Sequence, residues 1–287
     1  MKTIILGKKK YVIKRRLNSK KLVIGTFLLL DSFGNKFILK KKNKYSWYSK
    51  KQIQNIKYIL KKLYCYKTSV QIPKIVCCDS KNSYIVLNYL AGLNLTNRAI
   101  PQKNVIELIQ FIDFLHSFRF GGFGYINYEK MTGDYSDFDV FLGELKKDVI
   151  KFGRTFNIDC SGFNKQLRGL KEKEIKRGSI LHADLKENNI IFDPKNKKIG
   201  IIDWNNLFLG PPLIDYAILL NRTRDKKIKE IVNSKFKKDE RRELNIYRIV
   251  YLMKEILWRE KNGLAHKKQF KTVKSLLDLQ KLQRFVD

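Results

Sequence analysis

Three side chains in the middle of the chain have the types and spacing that phosphoryl transfer requires. His182-Ala183-Asp184-Leu185-Lys186-Glu187-Asn188-Asn189 is a polar loop in front of a short apolar run, Ile190-Ile191-Phe192. A turn, Pro194-Lys195-Asn196-Lys197, leads to a second apolar run, residues 199–203, which ends on Asp203. Two short strands joined by a turn make a hairpin, and a hairpin returns its ends to one side. Asp184, Asn189 and Asp203 are therefore expected at one mouth. Phosphoryl transfer needs an acceptor hydroxyl aimed in line and metal ions bridging the phosphate oxygens. A carboxylate such as Asp184 can orient that hydroxyl and take its proton. An amide oxygen (Asn189) and a second carboxylate (Asp203) are hard oxygen ligands of the kind Mg2+ prefers. The plain alternative is a hairpin with solvated turn carboxylates. It explains one such residue better than it explains three in order.

The loop resembles the kinase catalytic-loop pattern, and Asp203 stands where a kinase has the Asp of its Asp-Phe-Gly motif. Here Trp204 follows instead of Phe-Gly. His182-x-Asp184-x4-Asn189, then Ile202-Asp203-Trp204, then Pro212-x-x-Asp215-x-Ala217 together resemble the aminoglycoside phosphotransferase and choline kinase family. That family is a small-molecule branch of the kinase-like fold. The resemblance implies an α+β, two-lobed protein-kinase-like fold: a small antiparallel-sheet lobe with one helix, then a mainly helical lobe. It implies ATP and Mg2+ as cofactors. Asp184 would be the base, with Asn189 and Asp203 holding metal. Lys186, two residues after Asp184, could reach the transferring phosphate, or it is one more surface lysine. His182 is read as a brace of the loop. Asp215 and Pro212 are read as ordering the loop after Asp203.

The elements that would position these groups start at the N-terminus. Residues 10–17, 21–31 and 36–42 read as strands around two turns, Asn18-Ser19-Lys20-Lys21 and residues 31–35. Gly34 and Asn35 in the second turn permit positive φ. By the resemblance the first turn covers the ATP phosphates and the third strand supplies a phosphate-binding lysine. Phe37-Ile38-Leu39-Lys40 fits the Val-Ala-Ile-Lys form, which makes Lys40 the candidate over Lys36, Lys41 and Lys42. Residues 48–66 form an amphipathic helix with Ile53, Ile56, Ile59, Leu60 and Leu63 at helical spacing. In the kinase fold this helix carries a Glu that pairs with the lysine. Here no Asp or Glu occurs from Ser32 to Cys78. Lys40 is then loosely oriented before nucleotide binds, or another acid takes the place of that Glu. Gln52, Gln54 and Asn55 could only hydrogen-bond it.

Residues 71–95 read as two more strands and a connector. Main-chain groups from Asn88 to Leu90 match a hinge that would meet an adenine edge. The expected lobes are 1–91, nucleotide-binding, and 92–287, catalytic and substrate-binding. Helices are expected over residues 104–118, 135–156 and 163–174. Three more follow the Asp215 motif: its own helix, 241–260 and 267–285. His116, at the end of one of these, is read as a packing residue.

Composition bounds the rest. A chain of 287 residues with 44% hydrophobic content can bury a real core. The longest apolar stretch falls short of the ~18–20 residues of a membrane span, and the N-terminal apolar core is too short for a secretory signal. The four cysteines, 65, 77, 78 and 160, show no ligand spacing and are read as reduced thiols, which suggests a cytoplasmic protein. The net charge is +33. Such a field attracts nucleic acid, anionic membrane surfaces or anionic substrates, unless it is only compositional drift in a Lys-, Asn- and Ile-rich chain.

The leading expectation is an ATP- and Mg2+-dependent phosphotransferase acting on a hydroxyl of a small molecule: a sugar, an amino alcohol or a glycan-like acceptor. The charge favours an anionic acceptor over a cationic one. Two alternatives stay open. One is a compact, atypical protein kinase working near RNA. The other is a non-catalytic kinase-fold protein that binds nucleic acid or an anionic membrane through its basic surface.

Overall fold

A computed structural model describes residues 2–17, 24–42, 50–79, 83–97, 100–170 and 176–283. The first turn, residues 18–21, lies outside them. The early strands are β1 (Lys2–Leu6), β2 (Lys9–Arg16), β3 (Ile24–Leu30) and β4 (Lys36–Lys42). Helix α1 (Lys50–Tyr64) is followed by β5 (Ile75–Asp79), β6 (Tyr84–Asn88) and the short β7 (Leu93–Asn94). Next come α2 (Gln102–Ser117), β8 (Arg119–Gly121), β9 (Gly124–Tyr125), α3 (Phe138–Phe156) and α4 (Ser161–Gly169). The central strands are β10 (Arg177–Leu181), β11 (Ile190–Asp193), β12 (Lys198–Ile201) and β13 (Phe208–Gly210). Four helices follow: α5 (Leu213–Arg222), α6 (Lys226–Lys235), α7 (Lys238–Lys261) and α8 (Lys267–Gln283).

By contacts the chain divides into two compact units. The first comprises Met1–Phe111, Asn127–Lys130 and Asn188–Leu207. Its main sheet has six antiparallel strands in the order β1-β2-β3-β4-β6-β5. In the β3–β4 turn, the Asp31 carboxylate accepts backbone hydrogens from Phe33 and Asn35 at 2.9 Å each, and Gly34 takes φ +78°. This is the Asx chemistry that lets a short loop satisfy its own amides. On α1 the residues at helical spacing, Ile53, Ile56, Ile59, Leu60 and Leu63, are all buried. The hairpin β11–β12 forms as expected and extends to a three-stranded sheet, β12-β11-β7. Gln71 locks it, donating to Ile199 O and accepting from Ile201 N.

The second unit comprises Ile112–Ile126, Met131–Glu187 and Phe208–Asp287. Helices α3, α5 and α7 form its centre; Phe141, Leu145 and Val149 of α3 and Ile249, Val250 and Met253 of α7 are buried. The Asp137 carboxylate caps α3 by accepting from Val140 N at 2.8 Å, and Asn157 ends it at φ +51°. A four-stranded sheet, β8-β10-β13-β9, runs beside these helices.

Several elements differ from the sequence reading. Strand β1 extends the first sheet at its edge, ahead of the expected first strand. Four helices, not three, follow β13, because α6 intervenes. It buries only Ile228 and Val232, one i,i+4 pair, and starts from an Asp225 cap on Lys227 N and Ile228 N. That is too little apolar periodicity to stand out in a sequence. The α4 helix runs Ser161–Gly169 rather than 163–174, and residues 171–175 lie outside the described set.

Candidate active site

Residues of the expected site fall in both units. In the first, the lysines of β4 differ in exposure. Lys36 and Lys41 are exposed, whereas Lys40 is buried and paired across the sheet with Thr26 and Ile85. Its ammonium lies 2.6 Å from Asp203 Oδ1. Asp203 lies two residues past the end of β12 and sits in the left-handed region at φ +68°, a conformation uncommon outside glycine. The amide of Asn205 also donates to Asp203 Oδ1. Trp204 anchors the turn: it is buried, donates Nε1–H to Ile201 O at 3.0 Å and meets Phe111 edge-on.

Asn189 enters the same framework through its backbone, because Ile202 N donates to Asn189 O at 2.9 Å. The hairpin thus places Asn189 and Asp203 at neighbouring positions of the two strand ends. Their side chains offer an amide and two carboxylate oxygens. Among the described residues no group of three or more His, Cys, Asp or Glu could hold a metal by itself. Two hard oxygen donors suit Mg2+, which keeps much of its shell for water and phosphate oxygens. At the hinge candidates, Asn88 N donates to Lys74 O at 2.9 Å and Tyr89 N to Lys36 O at 3.3 Å. Leu90, just past the last sheet bond, is buried.

In the second unit, Asp184 and Lys186 come together, with Lys186 Nζ 2.7 Å from Asp184 Oδ2. The buried His182 ring accepts from Asp184 N through Nδ1 at 3.3 Å. Ala183 between them takes φ +56°. What holds this bend is Asp215. Its Oδ2 accepts from His182 N at 2.9 Å and its Oδ1 from Ala183 N at 2.8 Å. His116 Nε2 lies 3.0 Å from Oδ2. Asp215 therefore orders the loop before the hairpin, not the one after Asp203 as the sequence reading had it. His116 packs edge-on against Tyr216, as a packing residue would, but it also completes this carboxylate's partners. At the end of the loop, the buried Glu187 accepts from Thr223 Oγ1 at 3.3 Å and from Arg224 N.

The sequence reading missed the grip of Asp215 on the loop and the contact of Asn205 with Asp203. The first had a visible signal: Asp215 is the lone charge within Leu213-Ile214-Asp215-Tyr216-Ala217-Ile218-Leu219-Leu220. A carboxylate in so apolar a helix is buried only with partners.

The phosphotransferase enzyme family (APH) matches residues 25–244. Among curated proteins none is matched by the sequence. Solved structures similar in fold include a thermostable mutant of the aminoglycoside phosphotransferase APH(4)-Ia, apo form. It has TM-score 0.67 and 16% identity over 94% of each chain. A further mutant of the same enzyme, in ternary complex with ADP and hygromycin B, gives TM-score 0.64 and 17% identity over 93% of each chain. Choline kinase LicA from Streptococcus pneumoniae gives 0.64 and 15%, over 93% of this chain and 94% of that one.

Proposed function

The chain belongs to the phosphotransferase enzyme family and has its α+β, kinase-like fold, and from that premise we propose that it transfers the γ-phosphate of ATP to a hydroxyl of a small molecule. The observation that carries this reading is that the family match, residues 25–244, takes in every candidate site residue from Lys40 to Asp203 in the expected order. Asp184 orients the acceptor hydroxyl and accepts its proton. Asn189 and Asp203 hold Mg2+, which supplies charge neutralisation on the phosphate oxygens. Lys40 steadies the α- and β-phosphates. Main-chain groups of Leu90 and the carbonyl of Asn88, whose N–H is engaged by Lys74 O, meet the adenine edge. Lys186, an ammonium 2.7 Å from the Asp184 carboxylate, is well placed to meet negative charge on the transferring group.

Family membership favours this reading over the non-catalytic alternative. No described helix is long and apolar enough to cross a membrane. With net charge +33, a neutral or anionic acceptor, such as a sugar or a sugar phosphate, is preferred to a cationic one. The test is Mg2+-dependent ATP turnover against a panel of sugars, sugar phosphates and amino alcohols, with wild type and Asp184→Asn. Loss of a general base lowers the rate about 10²–10⁴-fold. Turnover raised by one acceptor class and abolished in the variant supports the proposal. ATP hydrolysis that no acceptor stimulates and that Asp184→Asn leaves intact overturns it.

A further inference from the structure

A buried ammonium has lost much of its hydration and needs a counter-ion. Lys40 is such a group, its side chain 8% exposed. Helix α1 cannot supply the anion, because the sequence has no Asp or Glu between residues 32 and 78. Asp203 supplies it, at 2.6 Å. Yet Asp203 is also the carboxylate that, with Asn189, offers oxygens to a divalent cation. One side chain therefore stands in two roles that a helix acid would otherwise separate.

Resting on the nucleotide reading above, we propose that the Lys40–Asp203 pair makes metal and polyphosphate binding mutually dependent, so that each binds poorly without the other. A cation arriving alone at Asp203 meets the Lys40 ammonium at the same oxygen and leaves it without an anion. A polyphosphate arriving alone finds Lys40 already neutralised and meets the Asp203 charge. When both arrive, the cation replaces Lys40 at Asp203, and the polyphosphate replaces Asp203 at Lys40. Every charge then remains paired. The sparse protein donor set points the same way, since no described cluster of three acidic, His or Cys side chains offers a metal a home of its own.

The experiment measures binding, not turnover, on the full chain. Free Mn2+ is titrated by electron paramagnetic resonance, ADP in chelator by calorimetry, and ADP again with Mn2+ present. In the wild type each ligand is expected to tighten the other by about 5–150-fold, the usual span of coupling between sites. Lys40→Met removes the competitor for Asp203, so free Mn2+ should bind about 5-fold tighter or more, and the coupling should shrink to what direct metal–phosphate contact supplies. Asp203→Asn removes both the pair and the repelling charge, so metal-free ADP should bind tighter than in the wild type. Lys41→Met is the control: it lies next on β4, is exposed and removes the same formal charge. The proposal is overturned if Lys40→Met gains no Mn2+ affinity, or gains no more than Lys41→Met. It is equally overturned if Asp203→Asn gains none for free ADP. A wild type that binds ADP with and without metal equally well sinks the coupling alone. One that binds ADP under neither condition sinks the nucleotide reading with it.

Discussion

Asp215 has no solvent exposure, and both its oxygens are engaged by the backbone of the loop that carries Asp184. A charge in that position is tolerable only while its partners remain. Asp215→Ala leaves two buried amides and the His116 ring without an acceptor. Each buried donor left without an acceptor costs about 1–3 kcal/mol, and urea denaturation of this variant should show a loss of at least that order. Asp215→Asn keeps one acceptor oxygen and should fall between the two. Equal stability of wild type and Asp215→Ala would show that the loop is held elsewhere. At Lys186 the expected effect is on rate: Lys186→Met should lower kcat while leaving the unfolding midpoint nearly unchanged, since the side chain is one-third exposed. At this scale the sequence was legible where spacing defines a place: two apolar runs around a turn bring Asn189 and Asp203 to neighbouring strand ends. It was opaque where a role depends on a partner far along the chain. A separation of 163 positions between Lys40 and Asp203 leaves no local trace of their pairing.

The elements that were easiest to read carry their own period. Helix α1 buries five residues at the positions its i, i+3, i+4 pattern marks, and β11 and β12 are short apolar runs around a polar turn. Strands β8, β9 and β13, of two or three residues each, have no period to read; only their pairing in one sheet defines them. Glycine marks positions where backbone alone fits, Gly92 among them. Gly92 takes φ +128°, and a Cβ there would lie 2.6 Å from both Ile191 Cγ2 and Phe192 O. Gly92→Ala must therefore strain the backbone and push β7 from β11. Strained conformations of this kind cost about 1–3 kcal/mol. Thermal unfolding should show a lower midpoint for Gly92→Ala, whereas Gly34→Ala, which meets nothing within 4 Å, should lose less, through its φ of +78° alone. Equal midpoints for the two variants would remove the steric argument.

Across the whole molecule the charge of +33 sets the response to solvent. Like charges repel in the compact state, and salt screens them over about 10 Å at 0.1 M. The unfolding temperature should rise with added NaCl at low ionic strength; a flat response would mean that local ion pairs already absorb the repulsion. Alkaline pH acts in the other direction through tyrosines. Burial pushes the Tyr64 hydroxyl, which donates to Ile72 O, up to about 12, and raises Tyr216, Tyr247 and Tyr251 as well. The folded chain keeps protons that an unfolded chain releases near pH 10, so their contribution is intact below that value. It is lost as pH climbs from about 10 toward 12. Tyrosinate absorbance and ellipticity should thus change together above pH 10; full titration near 10 with the fold retained would contradict the burial. Charge and length were plain in the sequence, but the discontinuity of the first unit was not. That discontinuity has a consequence in time. The unit lacks its last hairpin until residue 207 has been made, and Lys40 is synthesised 163 residues before the carboxylate that neutralises it. At about 5–20 residues per second on the ribosome, the lysine waits roughly 10–30 s for its partner. The nascent N-terminal sheet spends that interval without the hairpin that completes its unit.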